Sequence, residues 1–111
     1  LGPLLINRKA SALLELGRSQ QAAEILRDSL QVYPEFASNS ALLGQLNRKE
    51  GKLRSSLQRY RQAADLDPFD LGVQLAMAEL YEELGEEEDA RVHRRIIGIL
   101  EYRELVLREQ E

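Results

Sequence analysis

The side chains in this 111-residue sequence with most claim to chemistry are a lone histidine, His93, and the acids gathered between Asp70 and Asp89; there is no cysteine. Zinc needs three or four ligands. His93 stands among Val92, Arg94 and Arg95 with no second histidine to share an ion, so it reads as a structural or surface residue. No serine lies in a G-x-S-x-G turn, and the arrangement suggests no triad. A phosphate-cradling glycine loop ending in Lys-Ser/Thr is absent, and so is a strand leading into a G-x-G turn. Glu86, Glu87, Glu88 and Asp89 are consecutive, so on a helix they point in different directions and cannot converge on calcium. The ligand order of a calcium loop is missing too. These residues predict no catalysis, no metal and no cofactor in this segment.

Charge is distributed more tellingly. Phe69 to Asp89 holds eight acids (Asp70, Glu79, Glu82, Glu83, Glu86, Glu87, Glu88, Asp89) and no lysine or arginine, whereas Ala37 to Pro68 holds six basic residues (Arg48, Lys49, Lys52, Arg54, Arg59, Arg61) against three acids. Such runs are usually solvated helix exteriors, with a two-signed binding surface as the functional alternative. The run Glu86–Asp89 also suits a helix start, where negative charge meets the positive end of the dipole. A net charge of -4 and the acidic stretch break any continuous basic face, which argues against a nucleic-acid partner.

Any such surface must be carried by regular elements, and the chain repeats itself. Gly17, Gly51 and Gly85 are evenly spaced, and Pro34 and Pro68 keep the same interval. The same shift aligns Ala10, Gly44 and Ala78, then Ala22, Ser56 and Ala90: two columns of small residues such as close helix crossings require. Leu26 falls with Tyr60, Leu43 with Met77, and Val32 with Leu66 and Leu100, bulky groups that fill the remaining space. Around the first glycine, Leu13, Leu14 and Leu16, then Ala22, Ala23, Ile25, Leu26 and Leu30 recur at three- and four-residue spacing, the mark of two amphipathic helices. Each in-phase glycine follows a helical stretch, where a left-handed residue ends a helix at little steric cost. Tyr33-Pro34 and Asp67-Pro68 close the second helix of a pair, and Asp70 is placed to cap the next helix.

With these residues the sequence resembles the tetratricopeptide repeat family, whose unit is a helix-turn-helix of about 34 residues with small residues at two crossings and a proline near its end. Units would run about 3–36, 37–70 and 71–104. The fold class that follows is all-α: a right-handed superhelical stack of three antiparallel helix pairs in a single domain covering residues 1–111, with a long last helix over about 86–110. The third unit departs from the pattern: Arg94 stands in the column of Leu26 and Tyr60, Ile97 in that of Ser29 and Ala63, and Tyr102 in that of the prolines.

The resemblance implies a groove lined by the first helices of the units, taking a peptide or protein partner. Mapped onto this chain, the groove comprises Leu4, Asn7, Ser11, Leu14 and Glu15, then Ser38, Ala41, Gln45, Arg48 and Lys49, then Gly72, Leu75, Glu79, Glu82 and Glu83. Family members that grip chaperone tails do so with a clamp of lysine, asparagine and arginine. The matching places here hold Asn7, Ser11, Leu42, Gly72 and Ala76, so a chaperone-tail ligand is disfavoured.

After Gly85 the apolar residues fall on two rows, Ala90, His93, Ile97, Leu100 and Leu107 on one and Val92, Ile96, Ile99 and Val106 on the other. That face is wider than one neighbouring helix can cover. Self-association as a homodimer through Val92, Ile96, Ile99 and Val106 is the simplest cover, with a further repeat or another segment as alternatives. Hydrophobic residues at 43% against 31% charged mark a folded chain. No stretch reaches the run of about 18 apolar residues of a membrane span. The sequence therefore reads as soluble, with the cytoplasm the first expectation. Its opening Leu1-Gly2-Pro3 reads as part of a larger parent, and twelve arginines against three lysines suggest a bacterial source. The functional expectation is a protein-interaction module, not an enzyme. The alternative is an accessory domain of a larger enzyme whose catalytic domain lies elsewhere.

Overall fold

The computed structural model describes residues 1–111 and contains six helices: α1 (Pro3–Glu15), α2 (Ser19–Val32), α3 (Ala37–Lys49), α4 (Leu53–Leu66), α5 (Leu71–Glu83) and α6 (Glu87–Glu109). They form three antiparallel hairpins, α1/α2, α3/α4 and α5/α6, each packed on the next. The radius of gyration of 15.0 Å exceeds the roughly 13 Å of a compact domain of this length, as expected of an open stack with a projecting helix.

Each hairpin turns on its in-phase glycine. Gly17, Gly51 and Gly85 have φ of 77°, 77° and 75°, a region that side-chain-bearing residues rarely enter. At the first turn the Gly17 amide donates to the Leu14 carbonyl (3.0 Å) and the Arg18 amide to that of Leu13 (2.8 Å). The same pair of bonds recurs at Gly51 and Gly85, satisfying carbonyls that a helix end would otherwise leave open. Asp70 caps α5 by accepting from the Val73 amide at 3.2 Å. Glu87, Glu88 and Asp89 occupy the first turn of α6, where the helix dipole favours them.

The columns of small residues lie at the crossings: Ala10, Ala22, Ser56 and Ala78 are wholly buried and Ala90 nearly so. At the α3/α4 crossing the Ser56 hydroxyl donates to the Gly44 carbonyl (2.6 Å), and the Tyr60 ring lies where a Gly44 side chain would be. Two clusters form the core. Leu26, Leu43 and Leu46 pack between the first two hairpins; Leu57, Tyr60, Met77, Leu80 and Tyr81 pack between the last two.

Two features of the third hairpin differ from the plain periodic reading. Leu107, assigned by spacing to the inner row with Ile97 and Leu100, is 50% exposed, because α6 runs for 23 residues against the 13 of α5 and overshoots it. Arg94, in the column of the core residues Leu26 and Tyr60, faces out beside Glu82, Glu87 and Arg91. The side of the stack beyond α6 is therefore charged where the corresponding boundary between the earlier units is apolar.

Candidate partner-binding groove

The first helices of the hairpins form a trough with α3 along its floor. Two adjoining depressions make it up. One, of about 400 Å³, is lined by Asn7 from α1, by Ser38, Ala41, Leu42 and Gln45 from α3, by Tyr60 from α4, and by Asp70, Gly72 and Val73 at the start of α5. The other, of about 280 Å³, lies between Ser11, Leu14 and Glu15 of α1 and Leu42, Gln45 and Lys49 of α3. Leu42 and Gln45 border both, so the depressions adjoin along α3. Of the residues placed on the groove by the repeat register, Asn7, Ser11, Leu14, Glu15, Ser38, Ala41, Gln45, Lys49 and Gly72 come together here.

The charged end is arranged differently from the expectation. The Arg48 Nη2 lies 3.0 Å from Glu79 Oε2 and 2.5 Å from Glu83 Oε1, bridging α3 to α5. The Glu83 hydrogen bond, above all, raises the Arg48 pKa. Glu82 does not join them. It receives Arg94 of α6 at 2.7 and 3.4 Å, which holds its carboxyl below the usual range, and it borders the depression on the α6 side. Leu75 is 39% exposed and lies outside both depressions. The basic second unit and the acidic third unit are thus joined by ion pairs, with Arg54 to Glu86 (2.6 Å) repeating the theme on α4.

Leu42, at one of the clamp places, lines the trough, and so does Tyr60, which the repeat register did not place on its wall. Tyr60 replaces Leu26 of the preceding unit, and a phenol in place of an aliphatic side chain was the available signal that this position meets a polar boundary. Burial pushes the Tyr60 hydroxyl up from its ordinary pKa, so it stands as a neutral donor. Asn7 is oriented from beneath: its amide donates to Asn39 Oδ1 (2.8 Å), and the buried Asn39 amide in turn reaches the Pro3 carbonyl (3.2 Å) and Ser29 Oγ (3.4 Å).

A helical stack whose first helices line a trough, turning on three glycines in phase, is the architecture the repeat implied, and the family model of the tetratricopeptide repeat matches residues 5–36, the first hairpin. The chain has the tetratricopeptide-repeat fold. Among solved structures it is similar to the MamA RS-1 ArsTM double mutant (TM-score 0.84, 21% identity, 91% of this chain and 57% of that one). It is also similar to MamA 41-end from Desulfovibrio magneticus RS-1 (0.80, 21%, 89% and 56%). The second TPR of Spaghetti (RPAP3) bound to HSP90 peptide SRMEEVD superposes as well (0.81, 15%, 87% and 90%). At these identities the likeness is one of fold. The chain spans little more than half of those two MamA chains. No curated protein sequence matches it significantly. No helix of this tetratricopeptide stack is long and apolar enough to cross a membrane.

Proposed function

We propose that this chain holds an extended peptide or protein segment in the trough along α3, as an interaction module of a larger scaffold or assembly protein. The observation that carries the reading is the pair of adjoining depressions that share Leu42 and Gln45. Its small residues, Ala41 and Gly72, let a backbone approach closely. Asn7, Ser11, Ser38 and Gln45 offer amide and hydroxyl groups to that backbone, and Leu14 and Leu42 offer apolar contact. An extended peptide needs this combination, because its own amides and carbonyls must be satisfied as they leave water. The similar RPAP3 domain carries an HSP90 peptide. Here the clamp places hold Asn7, Ser11, Leu42, Gly72 and Ala76, so the trough suits a peptide held along its length rather than by a terminal carboxylate. The ion-paired end at Arg48, Glu79 and Glu83 has one more acid than base and favours a ligand with a basic group. Arginine usage supports a bacterial parent.

Selection from a displayed random peptide library tests the reading, with selected peptides re-measured on Gln45→Trp and Ser38→Trp. Both positions are exposed, so each indole fills the trough without entering the core. Peptides that bind the parent and lose affinity for both variants, with circular dichroism unchanged, support the groove. Peptides that bind the filled variants as well as the parent, or no enrichment at all, would refute it.

A further inference from the structure

The outward face of the second helix in each hairpin can be compared column by column, because the three units share one register. The column of Val92 holds Glu24 and Gln58 in the earlier units, that of Ile96 holds Asp28 and Gln62, and that of Ile99 holds Gln31 and Asp65. All six of those earlier residues are exposed. The fold leaves this face in water in every unit, and only the third places aliphatic side chains there. Val92 is 50% and Ile99 67% exposed. The stripe is thus not a requirement of the repeat.

Its spacing is specific too. Val92, Ile96, Ile99, Arg103 and Val106 alternate steps of four and three residues, the seam of a two-helix coiled coil. Beyond Leu100 the helix has passed the end of α5, and Tyr102 on this overhang is 70% exposed. One helix therefore carries both a largely uncovered stripe lying on the body of the stack and an overhang of about the same length that extends past α5.

We propose that two copies of this chain pair through α6 in antiparallel fashion, each overhang lying along the Val92–Ile99 stripe of the other. A two-fold axis close to Tyr102 sets Ile96 against Val106 of the other copy and Ile99 against its Arg103, and brings Arg95 beside its Glu109, twice over by symmetry. A parallel pair would instead stack Arg103 on its own copy in the seam. The Arg103 guanidinium already lies 5.2 Å from the centre of the Phe69 ring, which draws the charge aside and leaves the aliphatic stem to fill the seam. A helix pair of this length buries on the order of 1,000 Å² in total, at the small end of specific interfaces.

Sedimentation equilibrium across a wide concentration range around tens of micromolar, on the whole chain, tests this. The parent is expected to shift from monomer to dimer. Val92→Glu with Ile99→Glu, both at exposed positions, is expected to stay monomeric with an unchanged melting curve. Arg95→Glu should weaken the dimer and Arg95→Glu with Glu109→Arg restore it, which reads the antiparallel register directly. A parent that remains monomeric throughout overturns the proposal, as does a dimer indifferent to Val92→Glu with Ile99→Glu. A dimer that the charge reversal fails to restore overturns the register.

Discussion

Arg48 on α3 reaches Glu83 on α5 with Nη2 2.5 Å from Oε1, and the same nitrogen lies 3.0 Å from Glu79. The opposite charges of the second and third units therefore meet across the unit boundary. One cation is shared between two carboxylates, which leaves this end of the trough with one acid in excess. The pairs are partly exposed, so their contribution to stability is that of surface salt bridges, about 0.2 to 1 kcal/mol.

Removing the shared cation should reveal the carboxylates. We expect Arg48→Gln to leave the fold within about 1 kcal/mol of the parent while raising affinity for lysine- or arginine-bearing trough peptides several-fold. The salt dependence of binding should steepen, because two uncompensated charges then face the ligand. Glu82→Lys should leave the same affinity unchanged, since Glu82 is engaged with Arg94 on the other side of α5. Titrations at low and high salt decide this; equal effects of Glu82→Lys and Glu79→Lys would remove the distinction between the two faces.

The α3/α4 crossing leaves little room for a side chain at Gly44. A Cβ there would meet Tyr60 Cδ2 at 3.0 Å, Cε2 at 3.1 Å and the Ser56 carbonyl at 3.3 Å. In an exposed helix, alanine for glycine stabilises. Here we expect Gly44→Ala to destabilise, by roughly 1 to 3 kcal/mol if the helices must separate. Gly98, which has open space around its Cβ position in α6, should respond to Gly98→Ala with the opposite sign. Urea denaturation of the two variants and the parent compares them.

What the sequence made legible is what restricts residue choice locally. The glycines at positive φ and the fully buried small residues admit few alternatives, so their shared phase persists from unit to unit while most other positions differ. What stayed hidden depends on the distance and length of partners. Glu82 and Arg48 hold equivalent register positions, yet Arg48 reaches the next hairpin and Glu82 its own, a choice made by where the opposite charge sits. The period of α6 put Leu107 on the inner row, but a period cannot say that α5 has ended opposite it. Asn39 is polar by type and wholly buried in fact, because its partners come from distant points in the chain.

That asparagine links core to groove. Asn39→Ala leaves the Asn7 amide and the Pro3 carbonyl without their partner, and loss of a hydrogen bond inside the stack costs about 1 to 3 kcal/mol. We expect the variant to melt earlier and, because Asn7 is then free to turn, to bind trough peptides less tightly even where it remains folded. Asn7→Ala should reproduce the binding loss with a smaller loss of stability. Identical melting curves for Asn39→Ala and the parent would show that the network does not hold this corner.

His93 gives the stack a dependence on pH. Its Nδ1 lies 2.7 Å from Gln74 Oε1, whose amide donates to the Pro68 carbonyl at 3.1 Å, and its ring stacks on Tyr81 with centroids 5.3 Å apart. Because Gln74 Oε1 only accepts, Nδ1 carries the proton in the neutral ring. Burial is the largest influence and lowers the His93 pKa from its ordinary value of 6.5; Arg61 lowers it further, while Asp89 opposes both. The unfolded chain therefore takes up this proton at higher pH than the folded one, so stability is full above about 6.5 and declines as pH falls from there through the folded value. His93→Gln has no such group. We expect the difference in urea midpoint between parent and His93→Gln to shrink steadily as pH is lowered from about 8 through this window, before the carboxylates titrate at about 4 in both chains. Parallel pH profiles for the two chains would show that His93 has the same proton affinity folded and unfolded.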